Sequence, residues 1–220
     1  MEFTQALLRF FQNGGPFMYP IALVLVIGLA MVVERWIFLT HAKAANRRAY
    51  MQLLPMLQKR NYQGVLQLAR DSKAAMGRIA AAGIGTMQYA KRDENIALAI
   101  EEGILEAVPR LEKRTSYLAT LANIATLLGL LGTIMGLISA FTAVANADPS
   151  EKASMLSSSI SVAMNTTAFG LISAIPLLLF YSMLQNKTNE IVDSLQMAGV
   201  KFLNLITMGR GAAEQKAAKN

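Results

Sequence analysis

Residues 115–186 read TSYLATLANIATLLGLLGTIMGLISAFTAVANA (115–147), DPSEK (148–152) and ASMLSSSISVAMNTTAFGLISAIPLLLFYSMLQN (153–186). Neither long run holds a charged residue. At about 1.5 Å of rise per residue, each makes a helix of roughly 50 Å, longer than the ~30 Å of bilayer hydrocarbon. The stretch predicts a membrane hairpin whose ends project beyond the lipid.

Small and hydroxylated residues are not scattered through these runs. In the first, Ala122, Thr126, Gly129, Thr133, Gly136 and Ala140 recur at alternating steps of three and four, which places them on one helical face. Leucines and isoleucines at 127, 128, 130, 131, 134 and 138 fill much of the remaining circumference. In the second run Ala163, Thr167, Gly170 and Ala174 form a comparable stripe, beside Ser161, Asn165, Thr166 and Ser173. Two uses fit such faces. Small residues let membrane helices approach closely, and hydroxyls bond across the contact; the same faces could instead line a narrow wet lumen.

A third uncharged run, Phe10 to Val33, ends at Glu34-Arg35-Trp36, a cluster typical of a membrane–water interface. It is long for the apolar core of a signal peptide, only one Arg precedes it, and no small-x-small cleavage site follows, so it is expected to remain as an uncleaved anchor. Three spans result, in a chain of 220 residues that is 54% apolar.

The net charge of +7 is unevenly placed. Lysines and arginines crowd residues 43–114 and recur in the tail at 187, 201, 210, 216 and 219, whereas the N-terminal segment has Arg9 and the turn Lys152. The positive-inside rule puts the long loop and the tail in the cytoplasm, with the N-terminus and the turn outside. Topogenic charge accounts for the basicity, and no aromatic-interleaved basic patch points to nucleic acid. Without cysteine there is no disulfide or thiolate metal site. With His41 the sole histidine, neither a histidine metal cluster nor a His-activated nucleophile can form. Gly129-Leu-Leu-Gly132-Thr133 lacks the lysine and strand context of a phosphate loop. No enzymatic activity, metal or cofactor is expected.

In chain order, residues 1–15 form an interfacial helix with an apolar face (Phe3, Leu7, Leu8, Phe10, Phe11) broken by Gly14-Gly15-Pro16. Residues 16–40 are the first span, which looks lipid-facing. Residues 41–114 are a helical cytoplasmic domain: Tyr50, Leu53, Leu54 and Leu57 at helical spacing, then a helix over 62–70 capped by Asn61. Asp71 or Ser72 is expected to cap a helix reaching about Tyr89, packed through Ala80, Gly83 and Met87. A helix from Asp93-Glu94 carries the stripe Ile96, Ile100, Ile104 and Leu111, and Pro109 should kink or break it before the membrane. Spans two and three cover 115–147 and 153–186 around the turn 148–152, with a bend expected at Pro176. Residues 187–220 continue as an amphipathic helix with Ile191, Leu195, Ala198, Phe202 and Leu205 on one side, frayed from about Gly209.

None of the three runs contains Asp, Glu, His, Lys or Arg. Proton relays through membranes use carboxylates or histidines. If this chain conducts ions, a partner must supply the titrating group.

Gly129-Leu-Leu-Gly132-Thr133-Ile-Met-Gly136 followed by Ala140-Phe141, with Asn165-Thr166-Thr167-Ala168-Phe169-Gly170-Leu171 and Ala174-Ile175-Pro176, strongly resembles the ExbB/TolQ/MotA family of ion-channel motor subunits. Three spans favour the ExbB and TolQ branch over the four-span flagellar one, and the segment from Gly14 to Arg35 looks closer to ExbB-type biopolymer transport proteins. The resemblance implies an all-α inner-membrane protein with a periplasmic N-terminus and a cytoplasmic C-terminus, assembled as a homopentamer around a central pore. That pore would hold an ExbD/TolR/MotB-like single-span partner whose membrane Asp is the carboxylate missing here, and the complex would energise a TonB-like protein for outer-membrane import.

The family's pore threonines fall on Thr133 and Thr167. The pathway would also include Thr166, Thr126, Gly129, Gly136, Ala163, Gly170 and Ala174, with Ala140, Asn165 and Pro176 against the partner helix. Where several relatives carry a Glu five positions before the third-span threonine, this chain has Val162, which shifts the titration to the partner. The transported ion is expected to be a proton. Sodium stays open because the adjacent pair Thr166-Thr167 offers extra hydroxyl ligands. Other loads for the same machine are TolQ-like envelope maintenance or a gliding or flagellar stator; a non-conducting membrane scaffold is the reading outside transport.

Overall fold

The computed structural model describes residues 10–11, 14–72, 74–89, 92–145 and 147–217, with side chains as far as residue 209. Among the described residues six helices carry the fold: α1 (Met18–Gln58), α2 (Tyr62–Asp71), α3 (Ala75–Met87), α4 (Asp93–Glu112), α5 (Thr115–Ala145) and α6 (Lys152–Ala217). Among the described residues three helical stretches are long and apolar enough to cross a membrane: Met18–Gln58, Asp93–Ala145 and Lys152–Gly209. The fold is all-helical, as the uncharged runs predict. The N-terminal interfacial helix lies outside the described residues except for Phe10 and Phe11.

The chain divides into two compact units, Met1–Arg35 with Arg114–Met183, and Trp36–Lys113 with Leu184–Asn220. Helices α1 and α6 contribute to both, because neither ends where its hydrophobic run ends. α1 continues through Pro55 to Gln58. α6 is a single helix of 66 residues running through Pro176, so the third span and the amphipathic helix after it are one element. Its helical backbone reaches Ala217, which corrects the expected fraying from Gly209.

In the first unit the apolar half of α1, α5 and the first half of α6 share a core of small contacts. Met18, Ile21 and Val32 of α1, Leu118, Ala122 and Ala125 of α5, and Ala163, Ala174 and Leu177 of α6 are buried. Gly28 of α1 lies so near Leu177 that a methyl group there would stand 2.6 Å from its Cδ2 atom. The outward faces remain apolar, with Leu127 63%, Leu179 62% and Leu23 60% exposed, which in water would be an unusually large bare surface and in lipid is not. At the charged end of this bundle Glu34 pairs with Arg114 at 3.0 Å, and buried Arg35 donates from Nε to Thr115 Oγ1 at 3.2 Å.

The junction between α4 and α5 is a break of two residues. Lys113 is extended and donates its N–H to the Pro109 carbonyl, and Arg114 takes a left-handed φ of 69°. The break expected near Pro109 therefore falls one turn later, because Pro109 still accepts a helical bond although it cannot donate one.

The second unit packs α2, α3 and α4 with the distal parts of α1 and α6. The predicted stripe of α4 is buried at Ile96, Ile100, Ile104 and Leu111. On α6 Ile191, Leu195, Ala198 and Phe202 are buried as expected, but Ile206 takes the last place rather than Leu205. Gly199 admits Ile100 and Ile104, and Gly83 admits Ile100 and Ile206. Asn61 caps α2 by accepting from the Gly64 N–H at 3.0 Å.

The expected cap of α3 is corrected. Asp71 belongs to α2, and the Ser72 hydroxyl accepts from Ala74 N–H ahead of the helix. The N-cap residue Ala74 has no side-chain cap; instead buried Asn46, thirty residues away on α1, accepts from the Met76 N–H at 3.1 Å.

Candidate functional site

Thr133 on α5 and Thr167 on α6 are both half-buried, with their hydroxyl oxygens 2.9 Å apart. The Thr167 hydroxyl also reaches the Gly129 carbonyl at 2.9 Å, and the Thr133 hydroxyl reaches the carbonyls of Leu130 at 2.8 Å and Gly129 at 3.3 Å. Each hydroxyl has one proton and two lone pairs. Once Thr167 donates to Gly129, the Thr133 proton has three alternative acceptors. The pair thus retains unused lone pairs and a donor that can rotate.

Glycine makes this cross-helix contact possible. A methyl group on Gly129 would lie 3.3 Å from the Cα atoms of both Gly170 and Thr167, and one on Gly170 would lie 2.8 Å from the Ala125 carbonyl oxygen. Gly136 meets Ala163 in the same way, at 2.9 Å from its Cβ. Gly129, Gly136, Ala163 and Gly170 therefore serve helix packing within one chain. Ala140 and Ala174 are buried too; Asn165 and Pro176 are half-buried. Thr126 stands apart from the contact, exposed and bonded to its own helix through the Ala122 carbonyl at 3.1 Å.

Thr166 is separate from the hydroxyl pair. It is buried and its Oγ1 lies 2.5 Å from the Gly14 carbonyl and 3.0 Å from that of Val162. The helical arithmetic explains why: adjacent residues differ by about 100° around the axis, so neighbouring threonines cannot share one face. Thr166 fastens the Gly14-Gly15 turn, in which Gly15 has φ +74°, onto α6. Phe10 and Phe11 extend this attachment by edge-on contacts with Phe169 at 6.3 and 5.8 Å. Val162, which stands in the place of the glutamate of several relatives, borders a cavity of about 310 Å³ with Ser139, Ser159 and Thr166.

Three further residues belong to this contact: the sequence stripe omits Ala125, the motif names Gly132 without a role, and Ser173 stands only beside the stripe. Ala125, not Thr126, is buried against α6; Gly132 receives the Thr166 side chain; and Ser173 is fully buried with its hydroxyl unbonded among the described residues. Ala125 and Gly132 were legible in principle, since they lie at steps of four and three from Gly129 on the packed face.

Residues 71–197 match the MotA/TolQ/ExbB proton channel family. The chain belongs to that family. It is 25% identical over 190 residues to the biopolymer transport protein ExbB-like 3 of Synechocystis sp., covering 81% of this chain and 90% of the relative. It is 26% identical over 204 residues to an ExbB homolog of Methanothermobacter thermautotrophicus, covering 90% and 69%. A shorter segment of 84 residues is 36% identical to the Tol-Pal system protein TolQ of Haemophilus influenzae, covering 38% and 36%. The three apolar helices are thus those of a multi-pass membrane protein from a proton-channel family, and that family is not an enzyme family.

Proposed function

We propose that this chain is the ring-forming channel subunit of an ion-driven motor in the bacterial inner membrane. Five copies surround a pore in which an ExbD-like single-span protein carries the aspartate that titrates, and the work is delivered to a TonB-like protein for outer-membrane import. The N-terminus and the turn 148–152 face the periplasm; the basic loop and tail extend into the cytoplasm. The observation that supports the reading most is the hydroxyl pair Thr133–Thr167 at 2.9 Å, set in a hairpin whose two long runs hold no Asp, Glu, His, Lys or Arg.

The chemistry follows from what a hydroxyl can do. When the partner carboxylate is charged, the Thr133 proton turns from the Leu130 carbonyl to the anion, lowering the cost of holding that charge in an apolar wall. When a proton arrives from the periplasm and neutralises the carboxylate, the Thr167 oxygen accepts from the new O–H. The neutral side chain then passes the leucine-rich wall and loses its proton on the cytoplasmic side. One charge falling through 100 mV releases about 2.3 kcal/mol, several times thermal energy. The transported ion is the proton, and the chain carries no cofactor of its own. Sodium would need several oxygen ligands, and the Thr166 hydroxyl points to Gly14, apart from the Thr133–Thr167 pair.

A TolQ-like load has an observation in its favour, the 36% identity of the 84-residue segment. Isolation of the complex from its native membrane decides the assembly and the load together. The proposal expects five copies of this chain with a single-span protein bearing a membrane aspartate, and a TonB-like protein bound. A stable complex of this chain with no such partner would overturn the motor; a TolR-like partner without a TonB-like protein would assign the load to envelope maintenance.

A further inference from the structure

A cavity of about 410 Å³ lies wholly within the second unit, where α1, the start of α3 and the end of α4 meet. Its polar lining comes from His41 and Asn46 of α1, from Ser72, from Ala75 and Arg78 of α3 and from Arg110 of α4. Each of these brings at least one hydrogen-bond donor, and no carboxylate among the described residues lines the cavity. Several of the donors are unspent. Asn46 is only 4% exposed, and its Oδ1 is taken by the Met76 N–H, yet its Nδ2 group has no hydrogen-bond partner among the described residues. Ala75 opens α3 behind an N-cap with no capping side chain, and its own N–H is likewise unbonded there. The Ser72 hydroxyl accepts from the Ala74 N–H and keeps its proton to give. A buried carboxamide with two unused protons costs free energy unless a partner arrives.

The charge of the cavity has the sign that these donors call for. Glu106, which is not part of the lining, pairs with both Arg78 and Arg110, at 3.6 and 3.1 Å. Two guanidinium groups share that carboxylate, so one positive charge and several N–H groups remain for a ligand. The start of α3 adds the partial positive charge of a helix N-terminus. Arginine meets phosphate through two parallel N–H bonds. A phosphate has three oxygens to spread over so many donors, where a carboxylate has two. Phe38, Ala42 and Leu111 supply an apolar side, and the volume falls in the range of small-molecule sites, roughly 300–1,000 Å³. The cavity therefore holds a phosphate together with a small organic body.

We infer that this cavity binds the phosphate group of a small phosphomonoester. The inference goes beyond the motor and stands whether or not that reading holds. The test titrates the purified full chain, in phosphatidylcholine nanodiscs, with glycerol 3-phosphate, with glycerate and with glycerol, binding being read by calorimetry. Glycerol 3-phosphate should bind at least about tenfold more tightly than glycerate, and glycerol should give no signal. The double variant Arg78→Gln/Arg110→Gln should weaken the phosphate ester at least about tenfold, and Glu106→Gln, which releases both arginines, should tighten it. Ala75→Pro separates binding from folding. Proline suits the first position of a helix, and Ala74 before it already has the φ of −70° and ψ of 139° that a following proline requires. That variant loses one N–H donor, and it should bind about threefold more weakly with no fall in melting temperature. Glycerol 3-phosphate bound no better than glycerate, or an affinity unchanged in both the double variant and Ala75→Pro, would overturn the site. Phosphatidic acid presents the same group on a lipid: discs containing it that abolish the glycerol 3-phosphate signal would assign the site to a lipid ester, and discs that preserve the signal would assign it to a soluble one.

Discussion

Gly129 of α5 and Gly170 of α6 meet across the membrane hairpin so closely that a methyl group on Gly170 would stand 3.0 Å from the Cα atom of Gly129. Without this approach the hydroxyls of Thr133 and Thr167 could not share a bond, because the residues that bring the backbones together lie one turn from the residues that carry the chemistry.

Gly170→Ala should therefore act through geometry. The added methyl meets backbone, which cannot swing aside, and overpacking of this kind costs about 1–3 kcal/mol. Gly85 is the contrasting position, a helical glycine with nothing within 4 Å of an added methyl, where Ala should gain about 0.5–1 kcal/mol through helix propensity. Thermal unfolding in lipid nanodiscs should lower the midpoint for Gly170→Ala and raise it for Gly85→Ala. Equal shifts would remove the close approach from the account.

Asn46→Ala should destabilise the second unit by about 1–3 kcal/mol. It removes the remote cap of α3 and leaves the Met76 N–H without its acceptor. Hydrogen exchange should quicken first in residues 75–78. A mutant whose α3 amides exchange as slowly as those of the parent would show that the cap contributes nothing.

Much of this was legible in the sequence, and the exceptions have physical causes. The spans were readable because uncharged runs of this length have few fates other than a bilayer, and Asn61 because its cap is local. Asn46 was not, since its acceptor serves a helix thirty residues away and no local pattern encodes a tertiary cap. The stripe Ala122–Ala140 located the packed face, but its alternating steps could not choose between Thr126 and Ala125. Thr166 and Thr167 looked like a pair of ligands in the sequence; in the fold the first hydroxyl holds Gly14 while the second meets Thr133.

This separation carries a consequence for the ion. In the proposed reading the proton is the carried ion, because the Thr166 hydroxyl turns to Gly14 and adds no oxygen to the Thr133–Thr167 pair. Transport-coupled activity measured across a sodium series at fixed pH should stay level, whereas a pH series at fixed sodium should change it. Dependence on sodium would return Thr166 to the pathway. Thr166→Val, which leaves the buried Gly14 carbonyl without its donor, should cost about 1–3 kcal/mol of stability in a nanodisc melt.

The central claim is that the Thr133–Thr167 pair handles the proton through its hydroxyls and not through its shape. Proton flux into liposomes holding the complete complex tests it directly, comparing Thr133→Val/Thr167→Val with Thr133→Ser/Thr167→Ser. Valine keeps the volume and removes the hydroxyl; serine keeps the hydroxyl and loses the methyl. The account predicts that the valine pair assembles but loses flux by at least about tenfold, the equivalent of one charge-assisted hydrogen bond, while the serine pair retains most of it. Flux preserved with valine and lost with serine would contradict it.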